Sequence, residues 1–392
     1  MDVTDFDLES LIADEALRRA AFPVCEAGIF FGHAGVTALP AAVAQAMVDY
    51  VLRSSRQQQE FAEVLRDMRT ARRLSAQLID AHPDEIALLG PTSLGLSLFA
   101  NGLPWKAGDE IICYAEDYPA NVYPWLDLEQ RYGVKIRYLR PEQPGAITPE
   151  LVEAALTGRT RLVALASCHF LTGRRIEVDA IGALLRKRGV LFSLDAIQTI
   201  GAFPTSMEHV DFMSADAHKW MLGPMAIGIV YVKKEHFELL RPSLLGAWNV
   251  QSPNFIAQPE VRFVETAQRY EPGVLNVAGM YGMMAAHEMF LRVGMDKIAA
   301  RLLALKVTLV RGLKELDFEI YGVESGDTAS SITTFRHPRA SMAALYKLLE
   351  QAGIVASLRY NRQGTEYIRF SPHFYNTEAE LGRAFEVLKS GL

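Results

Sequence analysis

The sequence predicts an α/β domain built around a mostly parallel sheet, followed by a smaller α+β domain. Three observations predict it. Short apolar runs recur from Ile86 to Val232 with helical segments between them, the alternation that strand–helix–strand units produce. After Tyr270-Glu-Pro-Gly273 the pattern changes to a helical tract rich in Met, Ala and Leu. And 392 residues, 50% of them apolar, suffice to bury the core of a one- or two-domain globular protein.

Taken in order, the apolar runs are Ile86-Ala-Leu-Leu, Glu110-Ile-Ile-Cys, Lys135-Ile-Arg-Tyr-Leu, Leu162-Val-Ala-Leu-Ala, Val190-Leu-Phe-Ser-Leu and Ile227-Gly-Ile-Val-Tyr-Val. Ligands of such sheets gather outside the carboxyl ends of the strands, so the loops after Leu89, Cys113, Ala166 and Leu194 should surround one crevice. The stretch from Ile86 to Trp105 carries no charge and approaches membrane-spanning length. Gly90, Pro91, Thr92, Ser93, Ser97, Asn101 and Pro104 divide it into strand, polar loop and helix instead. A long helical tract is expected from about Asn276 to Leu316, with the Met280–Met289 run as helix core. Two or three short strands and a final helix after Thr377 complete the chain. The resulting division is an N-terminal arm over 1–28 that packs on the small domain, a large domain over 29–275 and a small domain over 276–392. No long Gly/Ser linker separates the two domains, which predicts a shared interface.

The net charge of −6 and the lack of a sustained Lys/Arg block exclude the electrostatic footprint of a nucleic-acid binder. The partners expected are small molecules, with neither nucleic acid nor membrane. The acidic start lacks a basic, apolar secretory signal, so a cytoplasmic address is expected. Cys25, Cys113 and Cys168 are few, odd in number and set among apolar neighbours. They read as inert buried thiols.

Two motifs carry chemistry. Val190-Leu-Phe-Ser-Leu-Asp195-Ala-Ile-Gln198 is an apolar strand that ends in a carboxylate, followed three residues later by an amide. A buried carboxylate there needs a partner to ionise. In Ser214-Ala-Asp-Ala-His218-Lys219-Trp-Met-Leu-Gly-Pro224, apolar neighbours desolvate a lysine, lowering its pKa and favouring the nucleophilic amine. Singly, Asp195 reads equally as a structural carboxylate and Lys219 as a solvated loop lysine. Together they suit pyridoxal 5'-phosphate (PLP), which needs an amine for its Schiff base and a carboxylate to keep its pyridine nitrogen protonated.

These motifs, with Arg369-Phe-Ser-Pro-His-Phe-Tyr-Asn376-Thr, resemble the class V aminotransferase and cysteine desulfurase family of fold-type I PLP enzymes. The similarity runs from about Ile29 to the C-terminus and leans towards the isopenicillin N epimerase-like and kynureninase-like branch. It implies a seven-stranded sheet, a homodimer and an amino-acid substrate. Lys219 would form the Schiff base and move a proton at the substrate Cα, Asp195 would pair with the pyridine nitrogen, and Gln198 would reach the ring 3'-oxygen. His218 would face the phosphate or help place Lys219, with a packed histidine as the alternative. Thr92 and Ser93, at a helix start after a strand, would hold the phosphate. Tyr118 would stack on the ring with Asn121 near the 3'-oxygen. His169 and Thr172 would lie beneath the ring or serve structure. Arg369 would grip the substrate carboxylate through its guanidinium fork, and His33 would border the substrate. Arg359 and Arg362 read as solvated loop cations, a second acidic group on the substrate being the alternative. Trp248 reads as a core or interface residue, with a reach into the neighbouring subunit's pocket as its alternative.

The sequence departs from the family pattern at Val274, where a hydroxyl often reaches a partner's phosphate, and at Gly32, where Asn is frequent. Between Gly353 and Arg369 there is no cysteine to carry a persulfide, which disfavours desulfuration. Aminotransferase chemistry is the first expectation. C–S lyase, selenocysteine lyase-like, epimerase and kynureninase-type chemistry are the alternatives, with a silent binding protein as the non-enzymatic rival. A nicotinamide-dependent oxidoreductase would need a glycine fingerprint that this sequence lacks.

Overall fold

The computed structural model describes residues 6–273 and 275–392. A seven-stranded sheet runs in the spatial order Ile86–Leu88, Gly228–Val232, Phe212–Asp216, Leu191–Asp195, Thr160–Ala166, Glu110–Tyr114, Lys135–Leu139. Gly228–Val232 is antiparallel to both neighbours, and every other pairing is parallel. Apolar clusters cover both faces of this sheet, which is why its central strands read as continuous hydrophobic runs rather than alternating ones.

Phe212–Asp216 was not among the apolar runs, because Ser214, Ala215 and Asp216 dilute the signal. Tertiary contacts explain its place. Ser214 Oγ donates to Thr92 O at 3.0 Å, and the Asp216 N–H donates to Thr92 Oγ1 at 2.8 Å. A Cβ on Gly95 would sit 2.4 Å from Ser214 Oγ, so glycine lets the Thr92–Gly102 helix press its first turn against this strand.

The expected helical tract consists of two helices, Val277–Val293 and Met295–Glu315, broken at Gly294, whose φ of 91° few side chains tolerate. Beyond it lies an antiparallel four-stranded sheet in the order Ser357–Tyr360, Glu366–Phe370, Thr333–Arg336, Glu319–Ile320. Ile29–Phe30 pairs in parallel with Ile354–Val355, tying the start of the chain to its last third. The final helix, Glu378–Ser390, begins on a Thr377–Glu380 capping box. The N-terminal helices dock against that end: Arg18 Nη1 lies 2.9 Å from Glu380 Oε1, and Phe22 stacks on Tyr375 with centroids 4.1 Å apart. Among the described residues no helix is long and apolar enough to cross a membrane, the Ile86–Trp105 stretch being strand, turn and an 11-residue helix. Val274 lies outside the described residues.

Candidate active site

The segments at the carboxyl ends of four neighbouring strands and one helix start converge on a cavity of about 320 Å³. Asp195 closes the strand Leu191–Asp195 at its floor, and Lys219 follows the strand Phe212–Asp216 by three residues. Both are buried and both line the cavity. Asp195 Oδ1 accepts the Ile197 N–H at 3.1 Å, and among the described residues no hydrogen bond reaches its Oδ2. Burial pushes the Asp195 pKa up, and the Lys219 charge partly counters this. Burial likewise brings Lys219 down to about 8, with Arg369 and Arg359 lowering it further and Asp195 opposing them. An amine held this low is neutral, and so nucleophilic, in a far larger fraction near neutral pH than an ordinary lysine.

Tyr118 forms one wall. Its ring centroid lies 5.2 Å from Lys219 Nζ, and its edge meets Phe170 at 5.5 Å. Opposite, the Thr92–Gly102 helix starts at the cavity with no side-chain cap, its flanking residue being Pro91. The Leu94 N–H donates to Pro91 O at 2.8 Å, which leaves the N–H groups of Thr92 and Ser93 for an anion, and both residues line the space. His218 is there too, its Nδ1 lying 3.1 Å from Asp216 Oδ2 without hydrogen-bond geometry. Gln198 Oε1 accepts from Trp220 Nε1 at 2.7 Å while Nε2 donates to Ala34 O at 3.2 Å. One amide hydrogen of Gln198 remains for a ligand oxygen.

Arg369, in the strand Glu366–Phe370, is buried. Its Nη1 donates to Phe170 O at 2.6 Å, whereas its Nε and Nη2 have no partner. Desolvation, then the neighbouring Arg359, draws its pKa down to about 9. A buried guanidinium with two idle nitrogens is costly unless a ligand supplies the missing anion. Arg359 repeats the pattern: it lines the same cavity and its Nε is also without a partner. A Cβ on Gly35 would lie 3.7 Å from Arg359 Nη2 and 3.8 Å from Arg369 Nη2, so this glycine sits within van der Waals reach of both guanidiniums.

Three of the expected site residues are placed elsewhere. Asn121 is fully buried, with Nδ2 donating to Asp117 Oδ2 at 3.0 Å and Oδ1 accepting from Trp125 Nε1 at 3.2 Å. Both ends of its amide brace the turn that carries Tyr118. Thr172 Oγ1 is paired with His169 Nδ1 at 3.0 Å, and His169 Nε2 with Glu116 O at 3.0 Å, so this pair secures the loop after Thr160–Ala166. His33 bridges Ser371 O at 2.8 Å and Tyr375 Oη at 2.9 Å. It joins the N-terminal segment to the last strand instead of bordering the cavity, as polar groups in a core must find partners. Trp248 packs partly buried against the main core.

Two residues that sequence reasoning underrated also belong to the site's surroundings. Arg359 read as a loop cation, yet its strand position turns it inward. Asp117 carried no role, yet it is buried and accepts from the N–H groups of Tyr118 at 2.7 Å and Ala166 at 3.1 Å. Burial, then the Asp195 charge, pushes it up to about 7. The apolar strand before it was its available signal.

The sequence model of the family described as aminotransferase class-V matches residues 29–383. A probable cysteine desulfurase of Pyrococcus abyssi is 28% identical over 95% of this chain and 97% of its own. Among solved structures, a cysteine desulfurase from Thermococcus onnurineus superposes with a TM-score of 0.88 at 24% identity, covering 95% of this chain and 96% of the other. The cystine C–S lyase C-DES, solved with its reaction product cysteine persulfide and also with glycine covalently linked to its PLP cofactor, gives 0.85 at 20% identity. That superposition covers 94% of this chain and 99% of C-DES.

Proposed function

The chain belongs to the class-V aminotransferase family, and from that membership we propose that it is a PLP-dependent enzyme cleaving the C–S bond of a cysteine-type amino acid. One observation carries this reading: a desolvated amine and a buried carboxylate line one cavity with two guanidiniums whose idle nitrogens need an anion. The residues fit the cofactor. Lys219 would hold it covalently, Asp195 would meet its ring nitrogen, the Thr92–Ser93 helix start its phosphate, Tyr118 its ring face and Gln198 its 3'-oxygen. When bound, PLP supplies an electron sink for charge developing at the substrate Cα.

This chain's residues then divide the work. Arg369 holds the substrate α-carboxylate through parallel hydrogen bonds, and Arg359 adds a second cation at the same end. Orientation by that clamp sets the Cα–H bond beside Lys219, whose amine takes the proton. The Cβ–S bond breaks, sulfur leaves with the bonding pair as a thiolate, and hydrolysis of the three-carbon remainder yields pyruvate and ammonia.

Aminotransfer, the first expectation from sequence, gives way to the lyase alternative because the Pyrococcus relative and C-DES are named for C–S chemistry. A desulfurase route through a protein persulfide lacks its acceptor here. Among the described residues no cysteine lines the cavity. Cys113 and Cys168 are fully buried, and burial pushes their thiols up to about 12 and about 11. Cys25 sits by Arg18 in the N-terminal arm, also raised by burial, to about 11.

The test is product analysis of the PLP-loaded protein with L-cysteine and L-cystine. Pyruvate is the expected product, whereas alanine would indicate desulfuration, and a keto acid retaining its sulfur would indicate transamination. In Lys219→Ala the visible absorption of the holoenzyme should vanish while circular dichroism is unchanged. An unaltered band in that variant would overturn the covalent assignment.

A further inference from the structure

Trp220 directly follows Lys219 and is buried, but it does not line the cavity. Its peptide is pinned from two sides. His373, buried just past the strand Glu366–Phe370, donates from Nε2 to Trp220 O at 2.9 Å. His373 Nδ1 accepts the Phe374 N–H at 2.8 Å, which fixes the neutral tautomer with its proton on Nε2. From the other side the turn that holds Gln198 presses on the same peptide: a Cβ on Gly201, whose φ is 89°, would lie 2.3 Å from Trp220 O and 2.7 Å from Met221 N. The indole then meets Gln198. Trp220 Nε1 can only donate, and it donates to Gln198 Oε1 at 2.7 Å. Ala34 O can only accept, and it accepts from Gln198 Nε2 at 3.2 Å. Turned over, the buried amide would set N–H against N–H and oxygen against oxygen, two mismatches away from water that make that orientation costly. Gln198 lines the cavity, so what it offers a ligand there is an N–H and not an oxygen.

We propose that Trp220 is a positioning residue: its indole N–H decides which end of the Gln198 amide faces the cavity, and so makes Gln198 a hydrogen-bond donor to the 3'-oxygen of PLP. The inference rests on the placement of PLP proposed above and deepens it, because a side-chain amide by itself can present either end. A phenyl ring in place of the indole would still fill the core, but it would leave Gln198 Oε1 without its donor and free the amide to turn. The donor has a chemical consequence. An N–H on the 3'-oxygen stabilises negative charge there, and with it the form of the bound chromophore that has lost its proton. The visible band therefore titrates at lower pH with this donor in place than without it.

The experiment is a spectroscopic pH titration of the PLP-loaded wild type, Trp220→Phe, Gln198→Ala and the double variant, with melting temperatures as a folding control. Each single variant should raise the midpoint of the visible band by about one pH unit, the size of one hydrogen bond to a charged oxygen. The double variant should go no further than Gln198→Ala alone. A midpoint that Trp220→Phe leaves in place, or a Trp220→Phe shift that persists in full in the Gln198→Ala background, would overturn the positioning role, since packing against Lys219 would act with or without the amide. If Trp220→Phe does not fold, the indole N–H signals of wild type and Gln198→Ala carrying isotope-labelled tryptophan decide the matter by magnetic resonance. One indole signal should move and exchange faster in Gln198→Ala, and identical spectra would overturn the bond. A Gln198→Ala midpoint equal to that of wild type would remove Gln198 from the 3'-oxygen, and that placement would fail together with the inference built on it.

Discussion

Lys219 shows how burial can prepare a nucleophile. Its pKa is held at about 8, against an ordinary 10.5, mainly because the ammonium is taken out of water, with two nearby guanidiniums adding repulsion. The neutral amine is the reactive form, so reactivity should grow as pH rises through that value. Reconstitution of cofactor-free protein with PLP should therefore accelerate between pH 7 and 9 with a midpoint near 8. Stopped-flow absorbance reads this directly, and a rate flat across that range would contradict the desolvated amine. Removing one repelling cation should raise the amine's pKa, so Arg359→Met is expected to move the midpoint upward. Asp117 illustrates the same physics with opposite sign. Burial raises this acid to about 7, and its three accepted hydrogen bonds only partly oppose the shift.

Single elements do much of the positioning. The Thr92–Gly102 helix reaches the cavity because Gly95 lets it touch the Phe212–Asp216 strand, and because Thr92 Oγ1 accepts the Asp216 N–H. In the Met295–Glu315 helix, Lys306 is buried with Nζ donating to Ile332 O at 2.7 Å, and desolvation lowers its pKa to about 7. The folded-state value lies below the ordinary 10.5. Between the two, the unfolded chain carries a proton that the folded chain lacks, so this group makes stability rise with pH, at about 1.4 kcal/mol per pH unit. Urea unfolding at pH 7.0, 8.0 and 9.0 should show wild type gaining on Lys306→Met at each step. A constant gap between the two proteins would mean that the lysine stays charged when buried.

At the scale of the whole molecule, the N-terminal arm, the last strand and the final helix are locked together. Phe22 stacks on Tyr375, Tyr375 Oη pairs with His33, and Arg18 bridges to Glu380. Elsewhere the surface shows large apolar side chains that a monomer has little reason to expose: Phe255 is 79% exposed, Met225 64% and Ile256 63%. We propose that they are covered by a second copy of the chain in a homodimer. Light scattering should give twice the chain mass for wild type and a shift towards single-chain mass for Phe255→Glu with Ile256→Glu. Monomeric wild type at micromolar concentration would refute the dimer.

The sequence by itself determined the strand–helix alternation and the final helix, and it singled out Asp195, Lys219 and Arg369, which line one cavity. These are legible because strands buried on both faces form unbroken apolar runs, and because charged residues in such company need a chemical reason to be there. Tertiary structure alone decided the rest. Asn121, Thr172 and His33 have residue types suited to ligand contact, but Asn121 and Thr172 satisfy Asp117 and His169 a turn away in their own folded loops, and His33 satisfies Tyr375 from the far end of the chain. Arg359 made the opposite journey, from an ordinary loop cation to a cavity wall. Its orientation depends on which face of the strand Ser357–Tyr360 meets the large domain. Residue type fixes what a side chain can donate or accept, whereas the groups that come within 3 Å of it are set by contacts hundreds of residues apart, such as the 338 separating His33 from Ser371.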